Sequence, residues 1–368
     1  MAVILTHKSA CKYWLSPYAS SNYEPVWMHE TNLTLHKRSN YFESKTTLAT
    51  RNRQEFVQTG FVHYESASYM HSEPETIRRN SSKAYSQVDL EKAHSYAHSM
   101  SDIVSRPLHL MLFYDNNRRF HEEVVFHVCN FRLPPRSFYC IEPGIYVVSP
   151  EVCFVQMANE LDDLELLRLG YGLTAQYVKH SGANSVFRVP VSSQKRLAGI
   201  QNSLRGFKGI RKARRVTPYI CENAASIREV ELAMLLSLPH SWGGFGLPKP
   251  KLNVAIEIPQ KIKHLFTNDY YVCDLFWDDV SIAIEYDSTQ WHTGADRIAN
   301  DAAKRNALEL IGIKVVTVTN RQIKSSTELE VVARLIAKAF GKRLRTSRGY
   351  DFRARHTELR NKVLFGRR

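Results

Sequence analysis

Apolar and polar positions alternate along two neighbouring stretches, Tyr270–Trp277 and 280–287, separated by Asp278 and Asp279. That period of two predicts a pair of strands joined as a hairpin. Upstream, Leu232, Leu235 and Leu236 recur at helical spacing behind Ser226-Ile-Arg-Glu229, a capping-box sequence, so a helix is predicted over 226–238. A Gly243-Gly244-Phe-Gly246-Leu-Pro248 loop follows it, without the lysine and spacing of a P-loop, and then a strand over 252–258. Beyond the hairpin come a helix over 294–311, a left-handed stop at Gly312, a strand over 313–319 and a helix over 327–340. An α-β-β-β-α-β-α order predicts a mixed sheet flanked by helices for residues 220–340.

Residues 106–219 read as an α+β domain, regulator-like or DNA-binding. Strands are predicted at 108–114, 124–129, 137–141 and 145–148, with turns at Asp115-Asn-Asn-Arg118 and Glu142-Pro143-Gly144. Ser149 caps the next helix and Pro150 suits its first turn. Residues 1–105 carry no sustained period and form an N-terminal region of uncertain structure. Two local helices are predicted there, one from Thr6 with Ala10, Tyr13, Trp14 and Leu15 on one side, the other over 89–104. The polar stretch 23–82 between them reads as disorder or as a small appended module. The fold class is thus α/β (α+β), ending in a basic tail at 341–368.

Charge narrows the partners. The chain holds 50 Lys and Arg against 36 Asp and Glu, a formal charge of +14, which favours a polyanion. Residues 195–215 contain eight Lys or Arg and no acid, with Leu197, Leu204, Phe207 and Ile210 interleaved. A helix or helix pair with a basic face fits this pattern. Lys208, Arg211, Lys212, Arg214 and Arg215 are its candidate phosphate contacts, against the plainer reading of a solvated surface helix. The tail adds ten Lys or Arg against two acids and reads as an electrostatic arm or a solubilising segment. No apolar run reaches the roughly 18 residues of a membrane span, and the opening Met-Ala-Val-Ile-Leu-Thr-His-Lys is too short for a signal peptide, so nucleic acid is the expected partner and a membrane is not. The six cysteines show no C-x-x-C spacing and read as reduced core thiols of a cytoplasmic protein without structural zinc.

The hairpin carries the candidate chemistry. Asp274 lies among apolar neighbours in its first strand, and Glu285 and Asp287 close the second. Acidic residues at strand ends are often merely solvated. Burying an isolated carboxylate costs several kcal/mol, however, so three of them and a histidine around two apolar strands call for a ligand or a cation. Strand partners lie about 5 Å apart, close enough to share one hard cation, Mg2+ or Mn2+.

The order Asp274, then Ile284-Glu285-Tyr-Asp287-Ser-Thr-Gln-Trp291-His292, then Asp301-Ala-Ala-Lys-Arg305, Leu308 and Gly312-Ile-Lys-Val-Val resembles the very-short-patch mismatch repair endonucleases and their relatives in the PD-(D/E)xK nuclease superfamily. The resemblance covers 226–339. It implies a restriction-endonuclease-like domain, metal-dependent hydrolysis of phosphodiester bonds, of DNA first, and a setting in phage defence or DNA repair. Asp274 and Glu285 would be metal ligands, and Asp287 a third ligand or a group that orients water. Glu229 would complete the shell, with Glu231 as its rival. His292, following Trp291, would be the acid–base group. The superfamily's lysine two residues after the second acid is Asp287 here, which leaves the base open. Asp301 and Arg305 match the pattern too. They are spaced for an i,i+4 salt bridge, or Arg305 turns to the scissile phosphate. Lys304, Arg297 and Trp291 are candidates for backbone contact or base stacking. Gly144 to Glu151 weakly resembles the regulator domain of abortive-infection antitoxins. The alternative function is therefore a non-catalytic nucleic-acid-binding regulator on a degenerate nuclease fold, working with a partner protein of a defence system. Oligomeric state is open.

Overall fold

The computed structural model describes residues 3–19, 25–26, 90–101, 106–113, 122–179, 185–287, 295–344 and 350–366. The first sheet comprises β1 (Val3–Leu5), β2 (Pro25–Val26), β3 (Leu108–Leu112), β4 (Val124–Val128), β5 (Phe138–Glu142) and β6 (Ile145–Val148). Around it lie α1 (His7–Trp14), α2 (Leu90–Ser99), α3 (Pro150–Met157), α4 (Asp163–Thr174), α5 (Gln194–Ser203) and α6 (Ile210–Val216), with a small hairpin of β7 (Tyr177–Lys179) and β8 (Ser185–Phe187). The strand order is β2-β5-β6-β1-β3-β4. β1 is central, parallel to β6 through Val3↔Ile145 and antiparallel to β3 at Leu5↔Leu110. The sequence boundary at 105/106 thus falls inside one sheet. Three residues buried on both faces show no alternation, which is why this strand escapes a pattern search.

Local signals upstream hold well. α1 begins after Thr6, α2 lies within 89–104, and Ser149 Oγ accepts a hydrogen bond from Val152 N at 3.2 Å at the head of α3. Gly144, at φ 77, makes the turn between antiparallel β5 and β6. β3 and β4 instead pair in parallel, from Leu108↔Val124 to Leu112↔Val128, which one tight turn cannot produce. The Asp115–Arg118 turn lies outside the described residues, as does most of the stretch 23–82.

The second sheet follows the expected order. α7 (Ile227–Ser237) leads into β9 (Lys251–Glu257), β10 (Tyr270–Trp277), β11 (Ile282–Asp287), α8 (Ala295–Leu310), β12 (Lys314–Thr319), α9 (Asn320–Lys324), α10 (Ser326–Ala339) and α11 (Tyr350–Phe365). The order is β12-β11-β10-β9, with β10 antiparallel to both neighbours and β11 parallel to β12, α8 being the crossover. Gly312, at φ 84, ends that crossover helix as expected. On one face Leu275, Trp277, Ile282 and Ile284 join a core that includes Leu232 and Leu236 of α7 and runs on into the first sheet. On the other face Cys273, Phe276 and Ala283 meet Ala307 and Leu308 of α8. The mixed, helix-flanked sheets establish the α+β class.

The basic tail is a packed helix rather than a free arm. In α11, Phe352, His356, Leu359 and Val363 are buried, Arg360 Nη1 donates to Ile323 O at 2.9 Å, and His356 Nδ1 lies 2.7 Å from Gly243 O. Dense arginine masks its apolar side in the sequence. Among the described residues no helix is long and apolar enough to cross a membrane, and all six cysteines are free thiols.

Candidate active site

β10 pairs with β11 only at Trp277↔Ile282, Phe276↔Ala283 and Leu275↔Ile284. Both strands nonetheless continue, β10 with β9 back to Tyr270↔Glu257, and β11 with β12 out to Asp287↔Thr319. The shared ladder stops one residue short of Asp274 and Glu285, which occupy the next rung where the central strands part. Across this fork Tyr286 N donates to Asp274 Oδ2 at 2.7 Å, so a carboxylate takes a bond that a backbone carbonyl takes elsewhere in the ladder. β9 is irregular at the same level. Asn253 lies between Leu252↔Leu275 and Val254↔Cys273, and its φ of 50 is in the left-handed region. Facing changes there too. Leu252 and Leu275 belong to the core shared with α7, while Val254 and Cys273 belong to the core under α8. Such a local reversal acts as a bulge does, re-aiming the side chains at this level of the sheet.

Glu285 is the most perturbed carboxyl group here. Lys304, reaching in from α8, donates to its Oε2, with only 18% of the Glu285 side chain and 23% of the lysine exposed. Its Oε1 is buried and makes no hydrogen bond. Burial, then the charge of Asp274, push its pKa up to about 7, with Lys304 and then the Cys273 thiol pulling the other way. Burial also raises Asp274, opposed by the Tyr286 amide and Lys304.

Glu229 completes the surroundings from α7. Its Oε2 accepts from Ala225 N at 2.8 Å and from Asn253 Nδ2, and Ser226 Oγ accepts from Glu229 N at 3.2 Å. The capping serine is as predicted, but the glutamate returns its bond to Ala225 instead of Ser226. Burial raises its pKa first, and the charge of Asp274 adds to the rise. Glu231 pairs instead with Arg228 at 2.6 Å. Of these two rivals, Glu229 is the one held beside the fork.

The remaining expected residues divide. Asp287 is half-buried at the end of β11, about 7 Å along the strand from Glu285 by the two-residue repeat. Asp274, Glu285, Asp287 and Glu229 supply no three ligand atoms within 4.8 Å of one another, so the expected three-carboxylate cluster does not form. Trp291 and His292 lie outside the described residues, as does the side chain of Arg297. Asp301 is exposed and makes no ion pair with Arg305, whose Nη2 donates to Thr317 Oγ1 at 3.0 Å, beside Glu285 on the next strand. In the basic segment Arg215 forms a bidentate pair with Asp163 at 2.9 and 2.6 Å. The acid missing locally comes from α4. Lys212 Nζ donates to Leu161 O and Arg214 Nη2 to Gln201 O, while Lys208 and Arg211 are exposed. Asn253 escapes any motif, because only the shared rung gives it a role.

The donors at the fork fit a small hard cation. Mg2+ is typically held by one or two carboxylates, with water and phosphate oxygens completing its shell, and Glu285 Oε1 is a buried acceptor without a donor. No family model matches the chain, and no solved structure does. Similarity extends to two curated proteins of Mycobacterium tuberculosis, uncharacterized protein Rv2248 of strain H37Rv and uncharacterized protein MT2308 of strain CDC 1551. Each is 31% identical over 114 residues, covering 31% of this chain and 37% of the relative. The match thus spans well under two thirds of those relatives' length.

Proposed function

We propose that the chain is a metal-dependent nuclease that hydrolyses phosphodiester bonds, of DNA first, at the fork between β10 and β11. One observation carries the reading: Asp274 and Glu285 lie half-buried beside each other, and Oε1 of Glu285 is a buried oxygen that makes no hydrogen bond of normal geometry. Apposed like charges in a poorly solvated place are costly, and the single ammonium of Lys304 offsets only one of the two. A bound Mg2+ or Mn2+ would supply a Lewis acid for a phosphoryl oxygen and a more acidic water. Asp274 and Glu285 would hold it, with Asp274 fixed in aim by the Tyr286 amide.

Lys304 would take the part that Asp287 leaves open. An ammonium on Glu285, delivered by the crossover helix, can orient the attacking water or steady charge on the phosphate, the work a lysine at 287 would otherwise do. Glu229, through Asn253, is a positioning residue for the irregular rung. His292 belongs to the proposal as the proton-transfer group, on the strength of the sequence pattern alone. Exposed Lys208 and Arg211 are the phosphate contacts least engaged elsewhere.

The direct test is plasmid cleavage in Mg2+, with and without chelator, by the wild type, Asp274→Ala, Glu285→Ala and Lys304→Ala. Cleavage should require the metal and fall by about 10²- to 10³-fold or more in each variant, while retardation of DNA in gels persists. Undiminished cleavage in both carboxylate variants would overturn the site. A wild type that binds DNA without ever cutting it would favour the regulator reading, for which Asp287 in the lysine's place is the supporting feature.

A further inference from the structure

Far from the fork, three ligand-type side chains converge from distant parts of the chain. His7 opens α1, His127 lies on β4, and Glu160 follows α3; one ligand atom from each falls within 4.8 Å of the other two. His7 and His127 line a cleft of ≈ 590 Å³ whose walls include Phe126, Phe131, Phe207 and Lys208. We infer that His7, His127 and Glu160 bind a divalent transition-metal ion of the zinc class, with a further coordination position open to this cleft.

The donor set selects the ion. Two imidazoles and a carboxylate suit zinc and similar ions, whereas the oxygen-only fork suits magnesium. Tetrahedral bonds of about 2.0–2.2 Å set ligand atoms roughly 3.3–3.6 Å apart, within the observed spacing. Two imidazoles and one carboxylate leave the fourth position for water or a substrate group, as in zinc centres that act chemically.

The surroundings hold both rings at the cleft through hydrogen bonds. His7 has φ 44, a left-handed conformation costing about 1–3 kcal/mol, and Gln156 holds it there. Gln156 Oε1 accepts from Thr6 Oγ1 at 2.8 Å and from His7 N at 3.3 Å. Because the Thr6 hydroxyl gives its hydrogen to Gln156, its 3.1 Å contact with His7 Nδ1 is one it accepts. The imidazole proton then sits on Nδ1, and Nε2 keeps the lone pair. His127 Nε2 lies 2.8 Å from Nδ1 of His109, which is buried behind it, the outer-shell support typical of ligating histidines. The His7 and His127 rings stack nearly parallel at 3.6 Å, so one of them turns about its side-chain bonds for both lone pairs to meet the ion. Lys8 Nζ lies 3.7 Å from Glu160 Oε2 and would yield that carboxylate to the ion.

Zinc titrated into the full wild-type chain by calorimetry, and Co2+ followed by its visible spectrum, test this site without reference to nuclease activity. One equivalent should bind, with Co2+ giving the intense bands of a four-coordinate ion. Glu160→Ala and His127→Ala should each weaken binding by about tenfold or more. Asp274→Ala should leave this equivalent in place, which separates it from the fork. Unchanged affinity in folded Glu160→Ala, or no stoichiometric binding by the wild type, would overturn the inference.

Discussion

Glu285 carries a proton that the same residue would release in an unfolded chain. Its pKa rises from 4.5 to about 7 in the fold, so its contribution to stability is complete below pH 4.5 and disappears as pH climbs through 7. The folded state binds the extra proton across that window, so stability must fall with rising pH there, by up to about 3 kcal/mol at 1.4 kcal/mol per pH unit. Thermal melts from pH 4.5 to 8 should record this loss, and Mg2+ should restore more stability at pH 8 than at pH 5. Asp274→Asn keeps an acceptor for the Tyr286 amide while deleting the charge. It should lower the Glu285 pKa in a carboxyl-carbon NMR titration, and an unmoved titration would separate the two groups. Asp274 and Glu285 are legible in the sequence because acids in apolar strands are costly enough to stand out. Lys304 is visible only as a basic residue, since nothing in a linear helix says which carboxylate its side chain meets.

At the scale of elements, the fork depends on one irregular rung. Asn253 tolerates φ 50 better than most residues with a Cβ and also donates to Glu229 and, at 2.9 Å, to Asn223 O. Asn253→Ala loses both advantages and should cost about 1–3 kcal/mol in denaturant unfolding. Asn253→Gly keeps the conformation and should cost less. A reversed ranking would mean that the backbone here is not strained. The strands around this rung follow from period-two alternation, but the break does not, because a bulge is set by what neighbouring strands must accommodate. α11 was hidden for a different reason. Its buried Phe352, Leu359 and Val363 are diluted by arginines, of which Arg360 is itself 7% exposed and bonded to backbone carbonyls.

For the whole molecule, net charge proves a coarser guide than its distribution. The +14 balance favours a polyanion, yet Arg215 is neutralised by Asp163, and Arg360 is buried in the fold. Lys208→Ala with Arg211→Ala should therefore flatten the dependence of log K for duplex DNA on log salt by about 1.8, near 0.9 per phosphate contact. Arg215→Ala should change that slope less. Equal effects of all three would return the basic segment to a generic solvated face. The C-terminal sheet was legible as an order of elements because each carries its own period and stops. Four strands of the N-terminal sheet were legible too, but not its central one, which is three residues long and whose partners arrive more than a hundred residues later. The same distance hides His7, His127 and Glu160 from any search by spacing.

Anomalous diffraction from a crystal soaked in Mn2+ tests the central claim most directly. A peak within about 2.0–2.6 Å of one oxygen each from Asp274 and Glu285, absent from Asp274→Ala crystals, is the result expected. Manganese found only at the His7–His127–Glu160 cluster, or nowhere on the chain, would contradict the assignment of a metal-dependent site to the fork.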